Sequence, residues 1–169
     1  MNLVPKLREV IPMKKPLLIA AALIAFDQAI KLAIFRFALH ASTVLIPGVL
    51  FFQPVQNKNL NWLASMAGVQ TPVWLMVVFQ TAMLAAATLL FRYLVKRAGF
   101  LHPLLQSFYC FIVAGIGCSF IDVMFWGGSL DFLRLYHWFT FDTKDLYLNA
   151  TYISLLLWEI RRSRESVCA

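Results

Sequence analysis

Residues 121–132 read IDVMFWGGSLDF and mark the end of a long apolar run. The run stops at Trp126, the chain turns at a pair of glycines, and two carboxylates, Asp122 and Asp131, lie nine residues apart across the turn. A charged side chain beside a membrane is costly and is usually functional. The stretch therefore predicts a membrane helix that ends next to a functional site.

The composition is that of an integral membrane protein. Of the 169 residues, 61% are hydrophobic, and the mean hydropathy is +0.74. Several runs approach the roughly 20 apolar residues that a bilayer helix needs. We predict one membrane domain over residues 1–169, an all-α four-transmembrane-helix bundle with a small outer β segment at about 41–60. The predicted spans are about 16–37, 72–95, 103–126 and 146–160.

The basic residues predict the orientation of the chain. The formal net charge is +7, and ten of the fifteen Lys and Arg residues lie before the first span or after the second and fourth. Basic residues accumulate on the cytoplasmic side, so we expect both termini there, in contact with anionic membrane lipid. The scattered charges do not form a nucleic-acid surface, and no nucleic-acid partner is expected.

Polar side chains from distant parts of the chain are expected to meet at the outer membrane surface. Asp122 and Asp131 flank the outer end of the third span, and Asn149 opens the fourth span from the same side. Asn57 and Asn59 end the outer β segment. Two carboxyl groups held close share one proton. The ionised group can then deprotonate a water, while the protonated group donates a proton to the scissile carbonyl. Asp131 is the first candidate for such a pair.

The first span carries a charged pair, Asp27 and Lys31, four residues apart on one helix face. The simplest interpretation is an ion pair within the helix, and the alternative is a role in orienting the nearby polar site. No metal is expected, because the three histidines and three cysteines match no metal-ligand spacing. No phosphate-binding glycine loop or serine-nucleophile motif is present either.

Together these residues resemble lipoprotein signal peptidase (signal peptidase II), a bacterial membrane aspartic peptidase. Asp27-Gln28 with Lys31 is similar to the family's D-x-x-x-K motif, and residues 46–57 are similar to the strand before its His/Arg-Asn-x-Gly motif. Residues 115–132 are similar to its G-N-x-x-D-R…G-x-V-x-D-F block, with the same spacing between the two aspartates. The resemblance covers residues 16–160.

The resemblance implies a bacterial inner-membrane protein with an extracytoplasmic β-cradle that holds a lipidated substrate. It implies cleavage of a prolipoprotein signal peptide just before a diacylglyceryl-cysteine, without a metal or other cofactor. Asp131 corresponds to the first catalytic aspartate. The supporting or substrate-binding residues implied are Gln56, Asn57, Asn59, Ser119, Asp122, Asp27 and Lys31.

The departures from the family pattern fall at the site. Ser119 stands where the family has Asn, Val123 where it has Arg, and the segment after Gln56 reads Asn57-Lys58-Asn59 in place of Asn-x-Gly. The second catalytic aspartate belongs to an F-N-x-A-D motif. Matching by motif gives Asp145, within residues 141–145, whereas matching by length gives Asn149. An Asn amide cannot ionise or donate a carboxylic proton.

These departures favour a relative with lost or altered catalysis that still binds lipidated signal peptides or lipoproteins at the outer leaflet, alone or with a membrane partner protein. The first alternative is an active aspartic peptidase that uses Asp131 with Asp145. The second alternative is a structural subunit of an envelope membrane complex. Whether the protein is an enzyme depends on which residue faces Asp131.

Overall fold

The computed structural model describes residues 14–58 and 71–167 as four helices and a small sheet. The helices are α1 (Lys14–Phe37), α2 (Val73–Ala98), α3 (Pro103–Ile121) and α4 (Thr143–Val167). The strands are β1 (Thr43–Ile46), β2 (Leu50–Asn57), β3 (Ser129–Leu135) and β4 (Phe139–Phe141). A π-helical turn, Asp122–Trp126, extends α3 toward β3.

Helix α3 lies at the centre of the bundle and contacts the other three helices. Its core with α2 includes a stacked pair of rings, Phe91 and Tyr109, whose centroids are 4.4 Å apart. On its other side, two glycines allow close approach: a Cβ on Gly115 would come within 2.6 Å of Leu148 of α4, and one on Gly117 equally close to Ile24 of α1. These glycines therefore allow α1 and α4 to pack close against α3.

Within residues 14–58 and 71–167, three helices are long and apolar enough to cross a membrane: Lys14–Phe37, Val73–Ala98 and Pro103–Trp126. They match the first three predicted spans. Helix α4 has 25 residues, about 37 Å, but its composition is less apolar because charged residues occupy both ends. It also carries two buried hydroxyls, Thr151 and Ser154, that donate to carbonyls of their own helix. The fourth span therefore remains a prediction.

The four strands form one antiparallel sheet in the order β1-β2-β3-β4. The predicted β segment at 41–60 corresponds to β1 and β2, whereas β3 and β4 follow the glycine pair and were not predicted. Leu130 and Phe132 of β3 pack with Ile34 of α1, which fixes the sheet to the end of the bundle. In the β2–β3 register, Asn57 pairs with Ser129 and Val55 with Asp131.

The turn between the π-helical segment and β3 requires glycine. Gly127 adopts a left-handed φ of 63° and ends the π-helical turn. Gly128 has φ 154°, and a Cβ there would overlap the backbone carbonyl of Asn57. The glycine pair therefore allows β3 to pair closely with β2, which carries Asp131 to the end of α3.

Candidate active site

A cluster of buried charges lies where the sheet meets the ends of α1, α3 and α4. We call it the acidic cluster. Its centre is Lys31 of α1, whose Nζ lies 3.0 Å from Asp27, 2.7 Å from Asp122 and 2.7 Å from Asp142. All four side chains are at most 2% exposed. Lys31 therefore does more than neutralise its helix neighbour, because it ties three elements together at the candidate site.

The second cation of the cluster is Lys144, in the first turn of α4. Its Nζ lies 2.6 Å from Asp142 Oδ2, 3.4 Å from Asp122 Oδ2 and 3.6 Å from Asp131 Oδ1. It also donates to the hydroxyl of Ser129. The side chain is only 10% exposed. Lys144 therefore links the Asp27–Lys31 end of the cluster to Asp131.

Asp131 is held by groups from three directions. Ser129 Oγ lies 2.6 Å from its Oδ1, Asn57 Nδ2 donates to its Oδ2 at 3.3 Å, and Lys144 adds a nearby positive charge. These contacts hold the side chain of Asp131 in one orientation at the wall of the cavity.

Asp145 reaches the same place because of the way α4 begins. Asp142 precedes the helix, and its Oδ1 accepts the backbone N–H of Asp145 at 3.3 Å, while Asp145 Oδ2 accepts the N–H of Asp142 at 3.1 Å. This reciprocal pair is a capping box. It fixes Asp145 beside Asp131, and one carboxylate oxygen from each of Asp131, Asp142 and Asp145 lies within 4.8 Å of the other two.

The pKa values of the two aspartates at the start of α4 are shifted in opposite directions. Asp142 lies between β4 and α4, where burial opposes ionisation, but the charges of Lys144 and Lys31 outweigh it and hold the pKa of Asp142 below its ordinary value. Asp145 precedes the predicted fourth span. Burial raises the pKa of Asp145 to about 6, and the Asp142 charge adds to the effect against the opposing charge of Lys144. Asp145 is therefore the more readily protonated of the two.

A cavity of about 640 Å³ opens onto these groups. Asp131, Asp145 and Lys144 lie at its polar end, and aromatic and aliphatic side chains of β4 and α4 form much of the rest. Ser119, Asn57 and Asn149 also line it. Asn149 is exposed, and its amide donates to the backbone carbonyl of Asp145 at 2.8 Å, one turn below the carboxylate pair. A carboxylate oxygen of Asp145 lies within 4.8 Å of one of Asp131, and the assignment of Asp145 as the second catalytic aspartate stays a prediction.

The other predicted residues are distributed around the cluster. Asp122 and Asp27 belong to it, and Gln28 bridges them by donating to Asp27 at 3.0 Å and to Asp122 at 3.3 Å. Gln56 lies outside it and donates to the carbonyl of Trp126. Asn59 lies outside the described residues. The sequence interpretation did not include Ser129, Asp142, Thr143 or Lys144 among the site residues, although the Asp-x-x-Asp spacing of residues 142–145 is a helix-start signal that could have indicated Asp142.

The three close carboxylates are poorly suited to bind a metal ion, because one of them is already paired with two lysines. Asp142 Oδ2 already contacts both ammonium groups, Lys31 at 2.7 Å and Lys144 at 2.6 Å. A cation entering there would meet two fixed positive charges. The expectation of chemistry without a metal remains a prediction, and the remaining pair, Asp131 and Asp145, is of the type used for acid–base chemistry.

Comparisons with known proteins identify the family. The sequence matches the family model described as Signal peptidase (SPase) II over residues 19–161. Two solved structures, each described as a bacterial membrane enzyme determined by the in meso method, are 20% identical to the chain. The one at 2.3 Å resolution has a TM-score of 0.72 and covers 90% of this chain and 92% of its own. The one at 1.9 Å has a TM-score of 0.71, with 87% and 93% covered.

A search of curated proteins finds no significant match. The family match nevertheless extends over most of the chain, and the fold agrees with that of membrane enzymes. The chain therefore belongs to the signal peptidase II family, the membrane aspartic peptidases of lipoprotein processing.

Proposed function

We propose that the protein is an active aspartic endopeptidase that cleaves the signal peptide from lipidated prolipoproteins. The observation that supports this most directly is the pair Asp131 and Asp145, two carboxyl groups that face one cavity in different environments. This favours the active alternative over the expectation of lost catalysis, which rested partly on Asn149 facing Asp131 and partly on the departures at Ser119, Val123 and Lys58-Asn59.

The different environments assign a role to each carboxyl group. Asp131, held by Ser129, Asn57 and Lys144, is the group that takes a proton from the attacking water. Asp145, with its raised pKa, holds the proton that is donated to the scissile carbonyl. Two carboxyl groups this close can share a single proton between them.

The cavity suits a substrate that is both peptide and lipid. Its polar end carries the acid pair, whereas Leu135, Phe139, Phe141 and Leu146 provide apolar surface. A scissile peptide bond next to a lipidated cysteine needs such a combination, because the acyl chains stay in apolar surroundings while the bond meets a water. The diacylglyceryl-cysteine substrate and the outer leaflet of a bacterial inner membrane belong to this proposal, as does a cytoplasmic position for both termini.

Lys144 favours a second candidate function, the binding of lipidated signal peptides without efficient cleavage. The ammonium of Lys144 lies 3.6 Å from Asp131, at the position where the F-N-x-A-D motif would have Ala. In this case the cavity would hold or present a lipoprotein, with or without a membrane partner protein. A purely structural role in an envelope complex has no comparable support from the geometry.

One experiment separates the two candidates. The purified chain is incubated with a lipidated preprolipoprotein in detergent, and cleavage is followed by gel mobility and by mass spectrometry of the new N-terminus. We expect Asp131→Asn and Asp145→Asn each to lower the rate by about 10²–10⁴-fold, because each removes one acid–base partner. Asn149→Ala serves as the matched control and should retain activity within about threefold.

Each alternative outcome has a clear meaning. Substrate retention by the parent chain with no cleavage above that of Asp131→Asn would favour the binding protein. Loss of cleavage in Asn149→Ala, with activity retained in Asp145→Asn, would instead restore Asn149 as the partner of Asp131.

A further inference from the structure

A second cavity lies at the opposite end of the bundle from the acidic cluster. It has a volume of about 150 Å³ and is lined by the end of α2, the residues before α3 and the last part of α4. Helix α3 has 19 residues and therefore separates the two sites by about 28 Å. The cavity thus opens at the other membrane face, and it shares no residue with the candidate active site.

Three guanidinium groups line this cavity. Arg97 comes from α2, and Arg161 and Arg162 come from α4. No carboxylate is among the described residues that line it, so the described lining of the cavity is positively charged. Converging arginines recognise phosphate with a planar set of N–H donors.

Arg162 provides a second and independent observation. Its guanidinium lies over the ring of Trp158, 5.4 Å from the ring centroid, and Trp158 is itself buried. The Nη1 atom of Arg162 is buried and has no hydrogen-bond partner among the described residues. A buried donor without an acceptor costs free energy, and such groups are rare unless a ligand or water completes them.

We propose that this cavity binds the phosphate group of an anionic phospholipid. The volume exceeds by far the roughly 15 Å³ that one water needs, so a phosphate fits. The lipid is favoured over a free phosphate because the site lies at the end of membrane helices and Phe100, on its edge, is 61% exposed. A basic pocket between membrane helices, with apolar surface beside it, is suited to a lipid headgroup and its chains.

The test compares two variants that remove the same number of charges from the same end of the bundle. The triple variant Arg97→Gln, Arg161→Gln, Arg162→Gln changes the cavity. The control Arg92→Gln, Lys96→Gln, Arg164→Gln changes exposed basic residues that do not line it. Phosphatidylglycerol and phosphatidylcholine are titrated onto the purified full chain in detergent, and bound lipid is counted by native mass spectrometry.

We expect the parent chain to bind phosphatidylglycerol in preference to phosphatidylcholine with a stoichiometry of one. The cavity variant should weaken phosphatidylglycerol binding by about tenfold or more, and the control by less than about threefold. The single variant Arg162→Lys keeps the charge but loses the planar donor set, and it should weaken binding measurably. It also provides a result if the triple variant does not fold.

Three results would overturn the proposal. Equal weakening in the cavity and control variants would indicate diffuse attraction to the basic end of the bundle. Equal binding of phosphatidylcholine would remove the preference for an anionic lipid. Full competition by millimolar inorganic phosphate would identify a free phosphate as the ligand in place of a lipid. None of these results depends on whether the protein cleaves a lipoprotein.

Discussion

At the scale of single residues, the position of one positive charge distinguishes this chain from the family pattern. The family motif carries Arg after the aspartate that corresponds to Asp122, but here that position is Val123, which is 6% exposed. If Asp145 is aligned with the last residue of the F-N-x-A-D motif, Lys144 stands where that motif has Ala. In that alignment this chain has no cation directly after Asp122 but has one at the start of α4, 3.4 Å from Asp122.

Removal of Lys144 should destabilise the protein more than removal of an ordinary lysine. Lys144→Met leaves Asp142 with one ammonium partner in place of two, and breaking a buried ion pair costs about 3–5 kcal/mol. The free energy of unfolding in detergent, from thermal or denaturant titration, measures the effect. Exposed Lys96→Met is the control, with an expected change within about 0.5 kcal/mol.

The double variant Lys144→Met, Asp142→Asn tests the reason for that loss. The Asn introduced at position 142 still caps the start of α4 and carries no charge. We therefore expect the double variant to recover part of the free energy of unfolding that Lys144→Met loses. Simple addition of the two single-variant effects would show that the two side chains are not coupled.

At the scale of secondary-structure elements, the first turn of α4 and the turn before β3 bring the acid pair together. The capping box between Asp142 and Asp145 determines that α4 begins at Thr143, which places Asn149 one turn after Asp145. The glycine pair lets β3 approach β2 closely enough for Asn57 to reach Asp131. Small changes in either turn should therefore disturb the site.

Gly128→Ala should be more damaging than Gly127→Ala. Both residues have positive φ, but a Cβ on Gly127 meets nothing within 4 Å, whereas one on Gly128 overlaps the Asn57 backbone. We expect Gly128→Ala to lower the free energy of unfolding by about 1–3 kcal/mol more than Gly127→Ala, because strand β3 must shift. Thermal unfolding in detergent compares the two; equal losses would mean that the sheet adjusts without cost.

At the scale of the whole molecule, two polar sites occupy opposite ends of an apolar bundle. The acidic cluster is enclosed between the sheet and the helix ends, and the basic cavity lies about 28 Å away along α3. The predicted orientation would place the acidic cluster on the extracytoplasmic side of the membrane and the three arginines on the cytoplasmic side. This arrangement is what a protein that meets its substrate at one face and anionic lipid at the other would need.

The orientation can be tested by cysteine labelling in intact cells. In a chain whose native cysteines are replaced by alanine, Lys58→Cys and Lys96→Cys place single thiols near the two ends; both lysines are exposed. We expect a membrane-impermeant maleimide to label position 58 in intact spheroplasts and position 96 only after permeabilisation. The opposite pattern would invert the predicted topology.

The amino-acid sequence alone is enough to predict the membrane class, three of the helices and several residues of the candidate site. Long apolar runs and the spacing of Asp122 and Asp131 are local signals, and the motifs around them indicate the family. The three apolar helices and the first two strands lie within a few residues of their expected positions. Such features depend on neighbours along the chain, so they can be read from the sequence.

The residue that meets Asp131, in contrast, is set by the packing of the elements. Matching by length and matching by motif gave different answers, because the distance between β3 and α4 depends on strand β4 and on the capping box. The same packing sets the partners of Lys31, which contacts carboxylates 91 and 111 positions away along the chain. Buried charges are paired across elements, since an unpaired charge is too costly to bury, and that pairing exists only after the elements have packed.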